Sequence, residues 1–308
     1  MVIVGLNCEK ELIQDLKVYL KYDENESNNF EELYIEYLNF KNKNLLNINN
    51  IRNIFISKEL KENTKYQEFK NIIENIKNEF EINKIDNIRK RLSSRVKIPS
   101  FKDYLLNNWD ICHLHLCDDM PDCNDRRNEL LFVKFYKNNA YFLDIKDHRS
   151  FASRDFIRII HNNWPEIIID YKVNGIIDIE PKVEKDEDIF NLWKNGINIF
   201  IVVYDENLKQ EVFYMPLTLG INMQGYRTQD VMNLISFRKE CDNIKDYLNK
   251  YAQEIQQSIL KIKKIKFNTL KFTIRLDLEN DLFYLLEKNS NLKFGWNGKD
   301  VSLMEINK

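Results

Sequence analysis

The chain has 308 residues and 44% hydrophobic content, enough for one large core or two ordinary ones, and it is well above the size at which disulfides or metals must hold a fold together. Charged residues make up 31% and the formal net charge is -2, so no global basic field draws the protein to nucleic acid or membrane, and any such attraction must be local. No stretch approaches the ~20 consecutive apolar residues of a membrane helix, which argues against a membrane partner.

From Glu9 to about Leu92, apolar residues recur at spacings of three and four. Leu12, Leu16 and Leu20 share one face, and Tyr66, Phe69, Ile73, Ile76 and Phe80 share another, which predicts packed helices. Pro99 interrupts the pattern, and Ser100 is placed to cap a short helix ending near Asn108. After Trp109 short strand-forming runs predict strands over 111–117, 130–136 and 140–145, with Asn138 and Asn139 turning the chain between the last two. A helix over 153–163 should stop at Trp164, because the residue before Pro165 avoids helical geometry.

Strands over 197–204 and 211–215 form a second hairpin through a polar turn at 205–207. A long helix from Thr228 to about Lys264 then carries a seam of Cys241, Ile244, Leu248, Tyr251, Ile255 and Ile262, which allows a dimer. The segments 270–276, 283–286 and 292–296 read as edge strands or a small meander. Short connections without regular strand–helix alternation predict an α+β fold: a helical N-terminal region over 1–98, then an α+β region over 99–308 with a mostly antiparallel sheet and a long C-terminal helix.

Cys8, Cys112, Cys117, Cys123 and Cys241 are an odd set with no secretory signal before them, which points to a reducing cytosol and a cytoplasmic location. All four histidines fall between Trp109 and Trp164, at 113, 115, 148 and 161. Histidine moves protons in both directions near neutrality and is also the commonest metal ligand, so this window is where chemistry is expected. His113 and His115 are two apart, so on a strand both face one way while Cys112, Leu114 and Leu116 face the other. His148 follows the third strand, with Asp144 or Asp147 available to orient its ring.

Arg154, Arg158 and His161 share a helix face as a basic stripe, although cations near a helix C-terminus also simply favour the macrodipole. Arg126, Arg127, Lys134, Arg149 and Tyr141 could balance charge on a phosphate, while Lys134, inside an apolar run, could equally reach out to solvent. These residues suit metal-independent RNA cleavage, with His113, His115 and His148 as acid and base and Arg126, Arg127, Lys134, Tyr141, Arg154, Arg158 and His161 binding substrate; it needs no cofactor.

The layout of strand, hairpin and helix over residues 109–164, with His and Arg on exposed faces, resembles the small antiparallel-sheet ribonucleases, the RelE-type toxins and EndoU-type enzymes. That resemblance implies RNA as substrate, cyclic-phosphate products and a toxin or phage-defence setting. Two alternatives use the same residues. His113, His115 and His148, with Asp118 or Asp119, could hold a divalent metal such as zinc in a hydrolase, or the N-terminal helices could serve a protein partner in a non-enzymatic binding or regulatory protein.

Other signals are weaker. A Gly220 to Thr228 segment is similar to a phosphate loop but has Tyr226 where the lysine belongs. Basic runs lie at Arg89, Lys90, Arg91 and Arg95 and at Lys261, Lys263, Lys264, Lys266 and Lys271. A catalytic Cys112 or Cys117 beside His148 is a further arrangement these residues permit.

Overall fold

Strand and helix periodicities assemble around three sheets in the computed structural model, which describes residues 2–23, 29–48, 51, 53–117, 129–176, 183 and 185–304. The first elements are β1 (Ile3–Asn7), α1 (Lys10–Leu20), α2 (Phe30–Lys43), β2 (Asn53–Ile56), α3 (Lys58–Glu62), α4 (Tyr66–Glu81), α5 (Ile85–Lys90) and α6 (Tyr104–Trp109). The middle of the chain holds β3 (Ile111–His115), β4 (Glu129–Tyr136), β5 (Asn139–Asp147), α7 (Asp155–Asn163), β6 (Lys172–Val173), α8 (Asp186–Lys194), β7 (Ile201–Asp205) and β8 (Gln210–Tyr214). The last part holds α9 (Thr228–Lys250), α10 (Ala252–Lys263), β9 (Thr269–Asp277), β10 (Leu282–Glu287), β11 (Leu292–Trp296) and β12 (Val301–Leu303).

The fold is mixed α and β with predominantly antiparallel sheets, and it gathers into two compact units. One comprises Met1–Tyr37 with Val231–Lys308, the other Leu38–Asp230. The division expected near residue 98 is therefore not where the chain separates. The N-terminal part is also not wholly helical: β1 pairs in parallel with β9, and β2 pairs in parallel with β5.

In the unit built from both ends of the chain, the sheet runs β1-β9-β10-β11-β12. α1 packs its buried Leu12, Leu16 and Leu20 as its spacing predicts. Its buried Asp15 accepts two hydrogen bonds of 2.7 Å from the Arg275 guanidinium and one of 2.9 Å from Leu276 N, tying the helix to β9. The expected single helix from Thr228 is two, because the chain leaves helical geometry at Tyr251 (φ -109°, ψ 25°) before α10 begins.

The 38–230 unit carries a four-stranded sheet in the order β2-β5-β4-β3 and a three-stranded sheet in the order β6-β8-β7. Alternation sends Cys112, Leu114, Leu131, Val133 and Phe142 to a core shared with Phe69, Ile73, Ile76 and Phe80 of α4. Ile111, Leu130, Phe132 and Leu143 face the opposite core, shared with Phe156, Ile157 and Ile160 of α7 and with β7 and β8. At its centre Trp109 and Trp193 meet edge to face at 4.8 Å, both fully buried. α7 ends at Trp164 before Pro165, as expected. The β4–β5 turn lies one residue earlier than expected, with Tyr136 paired to Asn139 and Lys137 at φ 53°. Asp103, not Ser100, caps α6 by accepting from Leu106 N.

Asp15→Ala should destabilise the unit of both chain ends by about 2 kcal/mol, since it strands a partly exposed guanidinium and a buried backbone N–H. Urea unfolding of the wild type and variant, followed by Trp296 fluorescence in a protein whose other tryptophans are replaced by phenylalanine, measures that loss.

Candidate functional site

Period-two geometry places His113 and His115 on one side of β3, opposite Cys112 and Leu114. Both sides are packed, however, and the strand is buried at every position but His115. His148 begins a short 3-10 turn after β5, where Asp147 accepts from Arg149 N and also pairs with the Arg149 guanidinium. Asp147 is thus committed to the turn, and Asp144 accepts from Asn63, so neither carboxylate orients His148 through those oxygens.

The three histidines converge on one cleft of about 580 Å³ in the 38–230 unit. The His113 and His115 ring centroids are 6.1 Å apart, and those of His115 and His148 are 5.7 Å apart. Phe151 wedges edge-on against His113 at 4.8 Å. Ser93, Arg95, Phe101, Lys102, Asp103, Tyr104, Leu105 and Phe190 complete the walls. Lys102 Nζ also lies 4.4 Å from the ring centre of Tyr226.

The 96–103 segment is held from below by the end of α2. The buried Lys43 ammonium donates to the carbonyls of Ile98, Pro99 and Phe101 at 2.5, 2.6 and 2.8 Å, Asn39 Nδ2 donates to Phe101 O at 3.1 Å, and Asn44 Nδ2 to Val96 O at 2.8 Å. Beside it the Gly220 to Thr228 segment comes close enough that a side chain at Gly225 (φ 79°) would press on Tyr104 and Lys102. Gly225 therefore shapes the surroundings of the cleft wall.

Burial sets the electrostatics. It lowers His113 to about 4, with repulsion from His148 adding to it, and lowers His115 to about 4, with His113 and His148 adding. Both rings are therefore neutral at pH 7, each offering one donor and one acceptor. His113 Nδ1 has no hydrogen-bond partner and sits 3.7 Å from Asp103 Oδ2. Burial raises Asp103 to about 6 against the opposing backbone N–H groups of Leu106 and Leu105.

The other residues expected in the site are employed elsewhere. His161 Nδ1 is 2.7 Å from the Tyr214 hydroxyl and its Nε2 is 3.3 Å from Asp205, a separate buried network. Burial lowers the His161 pKa, with Asp205 opposing. Lys134 does not reach solvent but is buried against the Asp110 carboxylate at 3.2 Å. Tyr141 is buried and stacks on Phe55 at 5.0 Å.

Arg154 binds Asp186 and Val183 O, and Arg158 pairs with Asp155. Arg126, Arg127, Asp118, Asp119 and Cys123 lie outside the described residues. Cys117 is disulfide-bonded, against the expectation of five reduced thiols, and Cys112 faces the opposite core with its thiol pushed well up by burial, so neither supplies a thiolate. Among the described residues no three His, Cys, Asp or Glu side chains stand close enough to hold a metal ion, so the zinc alternative has no ligand set there.

Asp103, Lys102, Tyr104, Phe151 and Phe190 had no motif to announce them; only Arg95 stood out, as part of a basic run.

Two outcomes follow for stability. Histidines depressed to about 4 favour the native state fully above pH 6.5 and progressively less as pH falls toward 4, while Asp103, raised to about 6, acts oppositely between 3.8 and 6. Two groups outweigh one, so urea stability of the 38–230 unit should fall between pH 7 and pH 4.5, and a His113→Asn/His115→Asn variant should flatten that slope. Lys43→Met should cost about 3 kcal/mol by removing three charge-assisted hydrogen bonds, leaving the Ile98, Pro99 and Phe101 carbonyls only the donors of Phe101 N and Asn39 Nδ2, measured by the same unfolding at pH 7.

No protein-family model, curated protein or solved structure matches this chain.

Proposed function

We propose that the histidine-lined cleft cleaves RNA by metal-independent acid–base chemistry. The observation that carries this reading is the convergence of three imidazoles with Arg95 and Lys102 in one cleft. Neutral His115 takes the proton from a ribose 2′-hydroxyl, and the 2′-oxygen attacks the adjacent phosphorus. The bond from phosphorus to the 5′-oxygen breaks, and protonated His148 returns a proton to that oxygen, leaving a 2′,3′-cyclic phosphate and a 5′-hydroxyl.

Rings 5.7 Å apart can both reach oxygens of one phosphate through hydrogen bonds of ~2.8 Å. Arg95 and Lys102 balance the charge that builds on the phosphorane, and His113 donates to a non-bridging oxygen. Phe101, Tyr104, Phe151 and Phe190 offer faces on which unpaired bases can stack, which favours single-stranded over duplex RNA. A toxin or phage-defence setting suits an activity of this kind, and a protein partner on the N-terminal helices would be its natural restraint.

Cleavage of a labelled RNA pool tests the reading. It should survive EDTA, fall by ~10²-fold or more in His115→Ala and in His148→Ala, and remain near wild type in Arg158→Ala. The acid limb of kcat/KM should lie below pH 5, following the depressed His115. Loss of cleavage on chelation would move the histidines to metal ligation. Absence of cleavage under all conditions would leave the cleft as a binding site.

A further inference from the structure

Outside the histidine cleft, a second cleft of about 460 Å³ lies in the unit formed by both chain ends, and two cysteines line it. Cys8 precedes α1, where Asn7 Oδ1 accepts from Glu9 N and Lys10 N and so fixes the turn that carries the thiol. Cys241 projects from α9 and is 8% exposed, whereas Cys8 is half-buried and reachable from solvent. Both thiols are free, and both stand on the walls of this one cleft. Arg238 and Lys245 stand on the same walls with Glu9 and Asp242.

We propose that Cys8 and Cys241 are a reversible redox pair, in which Cys8 attacks a low-molecular-weight disulfide and Cys241 resolves the product into a Cys8–Cys241 bridge. The Cys8 thiolate forms a bond to one sulphur of the small disulfide as the S–S bond breaks, releasing one thiolate. The Cys241 thiol then loses its proton and attacks Cys8 Sγ, expelling the second small thiolate. Both small thiolates take up the protons the cysteines lost, so two protein thiols and one disulfide become one bridge and two small thiols.

The order of attack follows from the surroundings. The hydrogen bond from Cys241 holds Cys8 below the ordinary thiol range, ahead of the opposing effects of burial and of Glu9 and Asp242, and Lys245 helps. Cys241 is pushed far up by donating that hydrogen bond and by burial, so it remains a thiol until the mixed disulfide forms. Exposure gives the same order, since Cys8 is within reach of solvent while Cys241 on the wall of the same cleft is nearly buried.

The full chain, reduced, desalted and then exposed to oxidised glutathione at pH 7.5, is alkylated with N-ethylmaleimide in denaturant and mapped by mass spectrometry. Cys8 and Cys241 should lose alkylation together and appear as one cross-linked peptide pair, restored by dithiothreitol. Cys241→Ser should trap glutathione on Cys8, and Cys8→Ser should slow modification at Cys241 at least tenfold. Full alkylation of both cysteines in the wild type would overturn the proposal, as would a lasting glutathione adduct on wild-type Cys8 without a bridge. Glutathione reaching Cys241 at an undiminished rate in Cys8→Ser would overturn the assignment of Cys8 as the attacking group.

Discussion

A single buried ammonium organises the histidine cleft. Lys43 is only 1% exposed, and such a charge persists in a folded interior only where polar groups replace its lost water. The carbonyls of Ile98, Pro99 and Phe101 do so, and they belong to a segment with no regular secondary structure of its own. The constraint works in both directions: the ammonium needs the three oxygens, and the bend is drawn around the ammonium, with Asn39 Nδ2 and Phe101 N as its further donors. Downstream of that bend, Phe101, Lys102 and Asp103 are delivered to the cleft wall, and Asp103 opens α6, whose Leu105 and Trp109 enter the core beneath β3.

The second organising force is desolvation. Two imidazoles and a carboxyl group are placed where charge is costly, so at pH 7 both imidazoles are neutral and Asp103, raised to about 6, is mostly ionised, while Arg95 and Lys102 supply the positive charge at the walls. An anion entering such a cleft would reverse part of this balance, since a negative charge beside His115 stabilises its protonated form. The unpartnered Nδ1 of His113 is the most direct sign of a group kept available, because buried polar atoms are ordinarily matched.

What could be read in the sequence was what depends on local periodicity. The two-residue spacing of His113 and His115 placed both rings on one side of a strand, and the three-and-four spacing in α1 and α4 picked out helices with the correct buried faces. What could not be read depends on partners distant in the chain. β1 and β2 are five and four residues long, and each is a strand because it lies parallel to a segment far away, so nothing in its own neighbourhood announces it. The same holds for Lys134 and Tyr141, whose residue types suit a phosphate site but whose strand positions turn them toward Asp110 and Phe55. Arg154 and His161 share a helix face as expected, yet Asp186 and Asp205 arrive from later elements to occupy them.

The parallel pairing of β1 with β9 has a consequence for synthesis. β1 emerges from the ribosome about 260 residues before its sheet neighbour, which begins at Thr269. At roughly 5–20 residues per second the wait is on the order of tens of seconds. All of the 38–230 unit is translated within that interval, so the histidine cleft can assemble while β1 is still an unpaired edge. The brevity of β1 thus serves the nascent chain as well as the finished one, since a short strand offers little template for pairing with the wrong neighbour during the delay.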